Sequence, residues 1–243
     1  MPTTPSPLTP RLMTAVDYVR GHGHLLADIG TDHAYLPIYL CRTGRLAPVE
    51  IPDGTRLCAV ASDINQGPVD RATAHIAAAG LTDAIRTVRT DGLFGLDAYA
   101  PSDIVIFGMG GELIASILAA APWLRRVGTR LILQPMTHPE KLRAYLSEAG
   151  FAVVGERLSV ERMGPQGERI YQTVCADFAP DRVVHYTAAE ALVGKFYPFE
   201  QGDIYRRLLD KVIATEVACR DARRAAGRNT AAEDALIQEL QGR

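Results

Sequence analysis

The chain has 243 residues, with 26 basic against 28 acidic side chains, a formal net charge of −2 and a pI near 6.3. Hydrophobic residues make up 47% and charged residues 22%, which excludes a disordered, a collagenous and a uniformly basic chain. No apolar run approaches the roughly 18 residues of a membrane span, and the opening MPTTPSPLTPRLM lacks the basic-then-apolar order of a signal peptide. A cytoplasmic protein without membrane association is expected, with a monomer the favoured state. Cys41, Cys58, Cys175 and Cys219 lie far apart, and no His-x-x-x-His spacing occurs. No metal site is expected.

Residues 1–10 are rich in Pro, Thr and Ser and read as loose. Helical spacing of Leu12, Met13, Val16 and Val19 predicts a helix over 10–19. Strands are expected over 24–29, 57–62, 85–89, 103–107 and 130–133, and helices over 34–41, 68–79, 112–120 and 138–149. Residues 44–56 read as a Pro- and Gly-bearing loop. This alternation of strand, turn and helix predicts a mostly parallel sheet with helices on both faces. Two more strands, 151–158 and 169–176, flank a turn over 161–168 that contains Gly164, Pro165 and Gly167. They predict a closing hairpin with an antiparallel last strand. The fold class is therefore α/β, Rossmann-like, of the class I methyltransferase shape. No strand is expected beyond Asp181; helices over 205–228 and 231–240 predict a C-terminal helical hairpin. The division expected is 1–180 for the α/β domain and 181–243 for the tail.

The segment Ala27-Asp28-Ile29-Gly30-Thr31-Asp32-His33-Ala34-Tyr35 takes a strand through an acid and a glycine into a helix. Gly30 admits close backbone approach to a ligand, and Asp28 suits a cationic or amine-bearing one. Asp32 stands where a dinucleotide fingerprint has its second glycine, which disfavours a pyrophosphate. Asp63 ends the second strand, where an acid can take the hydroxyls of a ribose, and Asp91-Gly92 follows the third. Each acid can instead serve as a helix N-cap; three in consecutive units favour a nucleoside-type cofactor. Gly108-Met109-Gly110-Gly111 ends the fourth strand and permits backbone approach to substrate or cofactor. Gln134 orients a base or caps a turn, His138 is a capping or surface histidine, and Trp123 is expected to pack.

DIGTDHAYLP, ASDINQGP, the Asp-Gly step, GMGG and LILQP, in that order, resemble the bacterial tRNA (adenine-22-N1)-methyltransferases of the TrmK type. The resemblance spans about residues 10–177 and continues into Gly194-Lys195-Phe196-Tyr197-Pro198 ahead of the tail. Met136 departs from the asparagine of several members. The resemblance implies a domain binding S-adenosyl-L-methionine, with a tail that helps hold tRNA. It implies that Asp28, Gly30, Asp63, Ile64, Asp91, Gly92 and Gly108 line the cofactor, and that Asp32, His33 and Tyr35 face the target base. Asp32 is expected either to accept from the adenine amine or to cap a helix.

Over residues 204–228 seven basic side chains stand against three acidic ones, an excess of four. That face is either solvated or, beside the family resemblance, a phosphate-binding surface centred on Arg220, Arg223 and Arg224. Arg125, Arg126 and Arg130 form a second small cluster. The alternatives are a methyltransferase for another RNA or a small molecule, or a non-catalytic RNA-binding protein that keeps the fold.

Overall fold

The computed structural model describes residues 8–162 and 167–243. The elements are α1 (Pro10–Val16), β1 (Leu26–Ile29), α2 (Tyr35–Arg42), β2 (Val49–Glu50), β3 (Arg56–Leu57), β4 (Ala59–Asp63), α3 (Gln66–Ala78), β5 (Ile85–Arg89), β6 (Asp103–Met109), α4 (Gly111–Ala119), β7 (Arg130–Pro135), α5 (Pro139–Glu148), β8 (Phe151–Arg162), β9 (Glu168–Phe178), α6 (Ala188–Val193), α7 (Gly202–Ala225) and α8 (Ala231–Gln241). One seven-stranded sheet has the order β5-β4-β1-β6-β7-β9-β8. Its first five strands pair in parallel, whereas β9 is antiparallel to both β7 and β8.

The strands read as nearly unbroken apolar runs because both faces of the sheet are covered. Ala27, Ile29, Ile104, Ile106, Leu131 and Leu133 pack with Ile114 and Leu118 of α4 and with Leu142 and Leu146 of α5. Their strand neighbours Leu26, Val105 and Ile132 face the other way, onto α1, α2 and α3 through Val16, Leu36, Leu40 and Ile76. This period-two division places three helices on one face and two on the other.

Several boundaries differ from expectation, each for a local reason. The first helix stops at Val16; Tyr18 and Val19 close it by donating their N–H groups to the Ala15 carbonyl. The strand expected over 57–62 is divided at Cys58, and its first part pairs antiparallel with β2. The expected 44–56 loop therefore carries a short ribbon. Strands β8 and β9 run four and two residues beyond the expected C-terminal ends, since their cross-strand register extends from Phe151↔Phe178 to Arg162↔Glu168. Of the expected hairpin turn, residues 163–166 lie outside the described residues, as do residues 1–7 of the leading segment.

The tail holds a helix that periodicity did not reveal, α6. Its start carries a capping box: the Thr187 hydroxyl accepts from the Glu190 N–H, and the Glu190 carboxylate accepts from the Thr187 N–H. Leu208 and Leu209 of α7 and Leu240 of α8 form a small core with Ala189, Val193 and Leu158 of β8.

The tail is anchored by a fully buried ion pair. Glu156 of β8 accepts from Arg143 of α5 through Nε at 2.9 Å and Nη2 at 2.6 Å. It also accepts from the backbone N–H groups of Lys195 and Phe196 at 2.7 and 2.8 Å. Arg143 donates further to the Ala191 carbonyl and to Gln172 of β9. Gly194 sits against this carboxylate at φ 75°, and a Cβ there would lie 2.7 Å from both its oxygens and from the Tyr197 hydroxyl. The Gly-Lys-Phe-Tyr-Pro element is thus the clasp between tail and sheet.

Removing one member of a buried pair leaves the other charge uncompensated. Glu156→Gln is expected to lower unfolding free energy by about 3–5 kcal/mol, read by urea titration. Replacing both partners, as Arg143→Met with Glu156→Leu, is expected to recover only part of that loss, because the Lys195 and Phe196 N–H groups lose their acceptor.

Candidate functional site

The parallel strands end along one edge, and each candidate carboxylate stands there. After β1 the chain turns at Gly30, with φ 74°; a Cβ on it would lie 2.2 Å from the Met109 methyl at the end of β6. The positive φ favours glycine here, whereas the Met109 methyl, at the end of a flexible side chain, could shift aside. The Thr31 hydroxyl accepts from the Ala34 N–H at 3.0 Å, and Ala34, held at φ 54°, caps α2. The reading of Asp32 as the helix cap is therefore corrected: Ala34 is the N-cap, and no side chain caps the helix. Asp32 projects outward instead.

A cleft of about 300 Å³ opens beside this turn, lined by Asp28, Gly30, Asp32, His33 and Tyr35 together with Arg11 and Phe107. Five of the expected site residues are thus brought into one cavity. Asp28 is 8% exposed, and burial pushes its carboxyl up to about 6, against an opposing hydrogen bond with Thr31. Among the described residues no ion pair reaches Asp28, and a buried acid of this kind is the counterpart that an amine-bearing ligand requires.

Asp63, Ile64, Asp91, Gly92 and Gly108 line the same strand edge outside that cavity. Asp63 Oδ1 accepts from the Asn65 N–H at 2.8 Å, a turn that starts α3 at the N-cap Asn65. Ile64 is 53% exposed, an apolar surface at the rim. Asp91 is exposed and follows the end of β5. Gly92 packs under Ile117 of α4, and a Cβ on Gly108 would lie 3.1 Å from Arg11 Nη1.

Asp32 is held by two partners. Arg71 of α3 donates Nε to its Oδ1 at 2.8 Å, with Nη2 on the same oxygen, while His33 Nε2 lies 3.2 Å from Oδ2. His33, Tyr35 and His75 of α3 form a three-ring stack with centroids 4.8 to 5.4 Å apart. The third ring was absent from the expected set, as were Arg71 and Arg11. Arg71 and His75 are four residues apart on α3, so one helical face presents both to the 32–35 turn. Arg11 reaches over from α1 to Gln134 Oε1 at 3.2 Å and lies over the Tyr171 ring. No local pattern announces Arg11, because its contacts are more than a hundred residues away in sequence.

The remaining candidates are structural. Gln134 is buried, accepting from Arg11 and donating to the Pro135 carbonyl. His138 is the N-cap of α5 and sits 3.1 Å from Glu140. Trp123 packs against the core beneath Arg126. Gly111 abuts the 137–138 backbone and donates to the Thr137 carbonyl at 2.7 Å.

Four arginines of the basic clusters pair with acids. Arg220 and Arg224 pair with Asp234, and Arg223 with Glu233, all acids of α8. The excess positive charge of α7 is thereby offset within the hairpin. Arg130 pairs with Asp177 and begins β7, at the sheet edge opposite the cleft. Among the described residues there is no group of three or more His, Cys, Asp or Glu able to hold a metal ion, and no helix long and apolar enough to cross a membrane.

A methyltransferase-domain family model matches residues 8–172. The Bacillus subtilis (strain 168) tRNA (adenine(22)-N(1))-methyltransferase is 33% identical over 202 residues, covering 82% of this chain and 78% of that protein. The chain belongs to the tRNA (adenine(22)-N(1))-methyltransferase family. Among solved members of this methyltransferase family, the B. subtilis TrmK structure superposes with a TM-score of 0.74 at 27% identity, covering 97% of this chain and 95% of that one. A Streptococcus pneumoniae relative, solved in complex with S-adenosyl-L-methionine, gives 0.76 at 26%, covering 96% and 99%. The Asp28 carboxyl and the Gly30 turn fit a cofactor of this kind, since the one seeks a cation and the other opens the backbone to it.

The raised Asp28 carboxyl has a consequence for stability. Its folded value near 6 lies above the ordinary 3.8, so ionisation disfavours the fold above that range and protonation removes the penalty below it. The difference corresponds to about 3 kcal/mol. Asp28→Asn is therefore expected to stabilise the ligand-free protein at pH 7.5 by up to that amount, and by much less at pH 4. Urea unfolding at both pH values reads the difference.

Proposed function

We propose that this protein transfers a methyl group from S-adenosyl-L-methionine to N1 of adenine 22 in tRNA. The observation that carries this reading is a single cleft in which the buried Asp28 adjoins the outward Asp32, His33 and Tyr35. Asp28 binds the amino end of the cofactor, with Gly30 giving it room. Asp63 takes the ribose hydroxyls with the oxygen its Asx turn leaves over, and Ile64 covers one face of the adenine. Asp91, Gly92 and Gly108 complete the cofactor-lining set. Residues 1–180 form the methyltransferase domain, and residues 181–243 form a helical tail that helps hold tRNA.

S-adenosyl-L-methionine, held by Asp28 and the Gly30 turn, would supply an electrophilic methyl group on positively charged sulfur, and its transfer would leave that positive charge on the adenine. Adenine N1 brings its own in-plane lone pair, so the protein's task is alignment and exclusion of water. Asp32 accepts from the adenine amine and faces the charge that the ring acquires. Arg71 and His33 fix where that carboxylate points. His33 and Tyr35 offer ring faces to the base, which must be unpaired or extruded for its Watson–Crick edge to be reached.

Incubation with labelled cofactor and tRNA, followed by nucleoside mapping, is expected to yield 1-methyladenosine at position 22 and none in tRNA lacking that adenine. Asp32→Ala is expected to keep cofactor affinity while lowering kcat about a hundredfold; unchanged turnover removes Asp32 from the mechanism. Cofactor affinity in calorimetry is expected to weaken as pH falls below about 6 and Asp28 protonates. Asp28→Asn should bind weakly at every pH.

A further inference from the structure

A second groove adjoins the cleft. It has a volume of about 500 Å³ and runs between α1, α2 and α3, walled by Leu12, Tyr35, Ile38, Tyr39 and Ala78. Thr9, Leu12 and Tyr35 belong to both cavities, so the groove and the cleft are continuous across the Tyr35 ring. We propose that this groove receives one unpaired base of the substrate RNA, a neighbour of the target adenine, stacked beside Tyr35 and Tyr39. The inference rests on the tRNA reading above.

Three observations on the groove favour a nucleotide. Its walls are apolar and aromatic, which suits the faces of a base without selecting its identity. Its ionisable groups besides the phenols are Arg42 and His75, and among the described residues lining it there is no carboxylate. That balance complements a phosphodiester and repels nothing on it. Tyr35 stacks on His33 and His75 yet is 48% exposed, so the residue that lines both cavities remains half accessible.

The chemistry of the target supplies the need. Withdrawing an adenine from an RNA stack uncovers the face of its neighbour, and that lost stacking opposes extrusion. A groove that restacks the neighbour offsets the loss and holds the RNA strand at a fixed distance from the cleft. It therefore acts on RNA affinity and leaves cofactor binding alone.

The test uses the full-length protein and two groove variants, Ala78→Trp to fill the space and Tyr39→Ala to remove a wall, with thermal melting to confirm that both fold. Both are expected to raise KM for tRNA about tenfold or more, with kcat and the calorimetric Kd for S-adenosyl-L-methionine within about twofold of wild type. Transcripts carrying an abasic nucleotide immediately 5′ or 3′ of the target adenine should raise the wild-type KM at one of those positions. Ala78→Trp should show no further loss with that same transcript, the non-additivity expected of groups in contact.

An unchanged KM for Ala78→Trp, or full additivity with both abasic transcripts, overturns the proposal. A filled groove that alters sedimentation but not RNA kinetics assigns the groove to a second copy of the chain and equally overturns it. Failure of the wild-type protein to methylate intact tRNA overturns the parent reading and the groove with it, whereas a silent Ala78→Trp against an active wild type overturns the groove alone.

Discussion

A charge taken fully out of water must be met by another, and the Arg143–Glu156 pair shows how much of this molecule is arranged around that requirement. Glu156 lies on the strand at the sheet's far edge, Arg143 on the helix that leads into it, and four N–H donors converge on the one carboxylate. Two of those donors are backbone groups of the tail. Any displacement of residues 194–196 would strand a buried anion, so the tail is fastened to the sheet by electrostatics first and by its small apolar core second. The reversed final strand takes part as well, since Gln172 of β9 also accepts from Arg143 Nη2. The edge hairpin, α5 and the tail consequently form one unit.

The opposite economy rules the cleft. There a buried acid forms no ion pair among the described residues, and its carboxyl is held near 6 by burial. The two carboxylates of the cleft are distinguished by environment: Asp28 lies inside with Thr31, and Asp32 lies outside between Arg71 and His33. One is suited to take up a positive charge from a ligand, the other to be aimed by its neighbours. The chain turns between them at Gly30, whose φ of 74° lies in the left-handed region that favours glycine.

Net charge conceals how the arginines are spent. The α7 cluster is absorbed by Glu233 and Asp234, and the Arg130 cluster lies at the edge away from the strand ends. Arginines near the cleft, Arg11 and Arg71, came from helices on one face of the sheet and reach the site across long sequence separations.

The alternation of apolar runs, glycine turns and helical faces was legible in the chain, and so were the acids at the strand ends, because backbone periodicity and turn chemistry are local properties. Five expected residues, Asp28, Gly30, Asp32, His33 and Tyr35, share a cleft because they lie on one turn and move together with it. The helix α6 escaped periodicity, being only six residues long, although Thr187 and Glu190 carried its capping box in plain view. Sequence by itself thus determined the sheet, its order of elements and which strand ends bear carboxylates. Only the tertiary structure decided that Asp32 is an ion-paired, outward side chain instead of a helix cap, that Arg71 and His75 meet its turn and Arg11 lines its cleft, and that Arg220, Arg223 and Arg224 pair with acids of α8. Each of those outcomes depends on which distant groups come within a few ångströms, and no spacing along the chain encodes that distance.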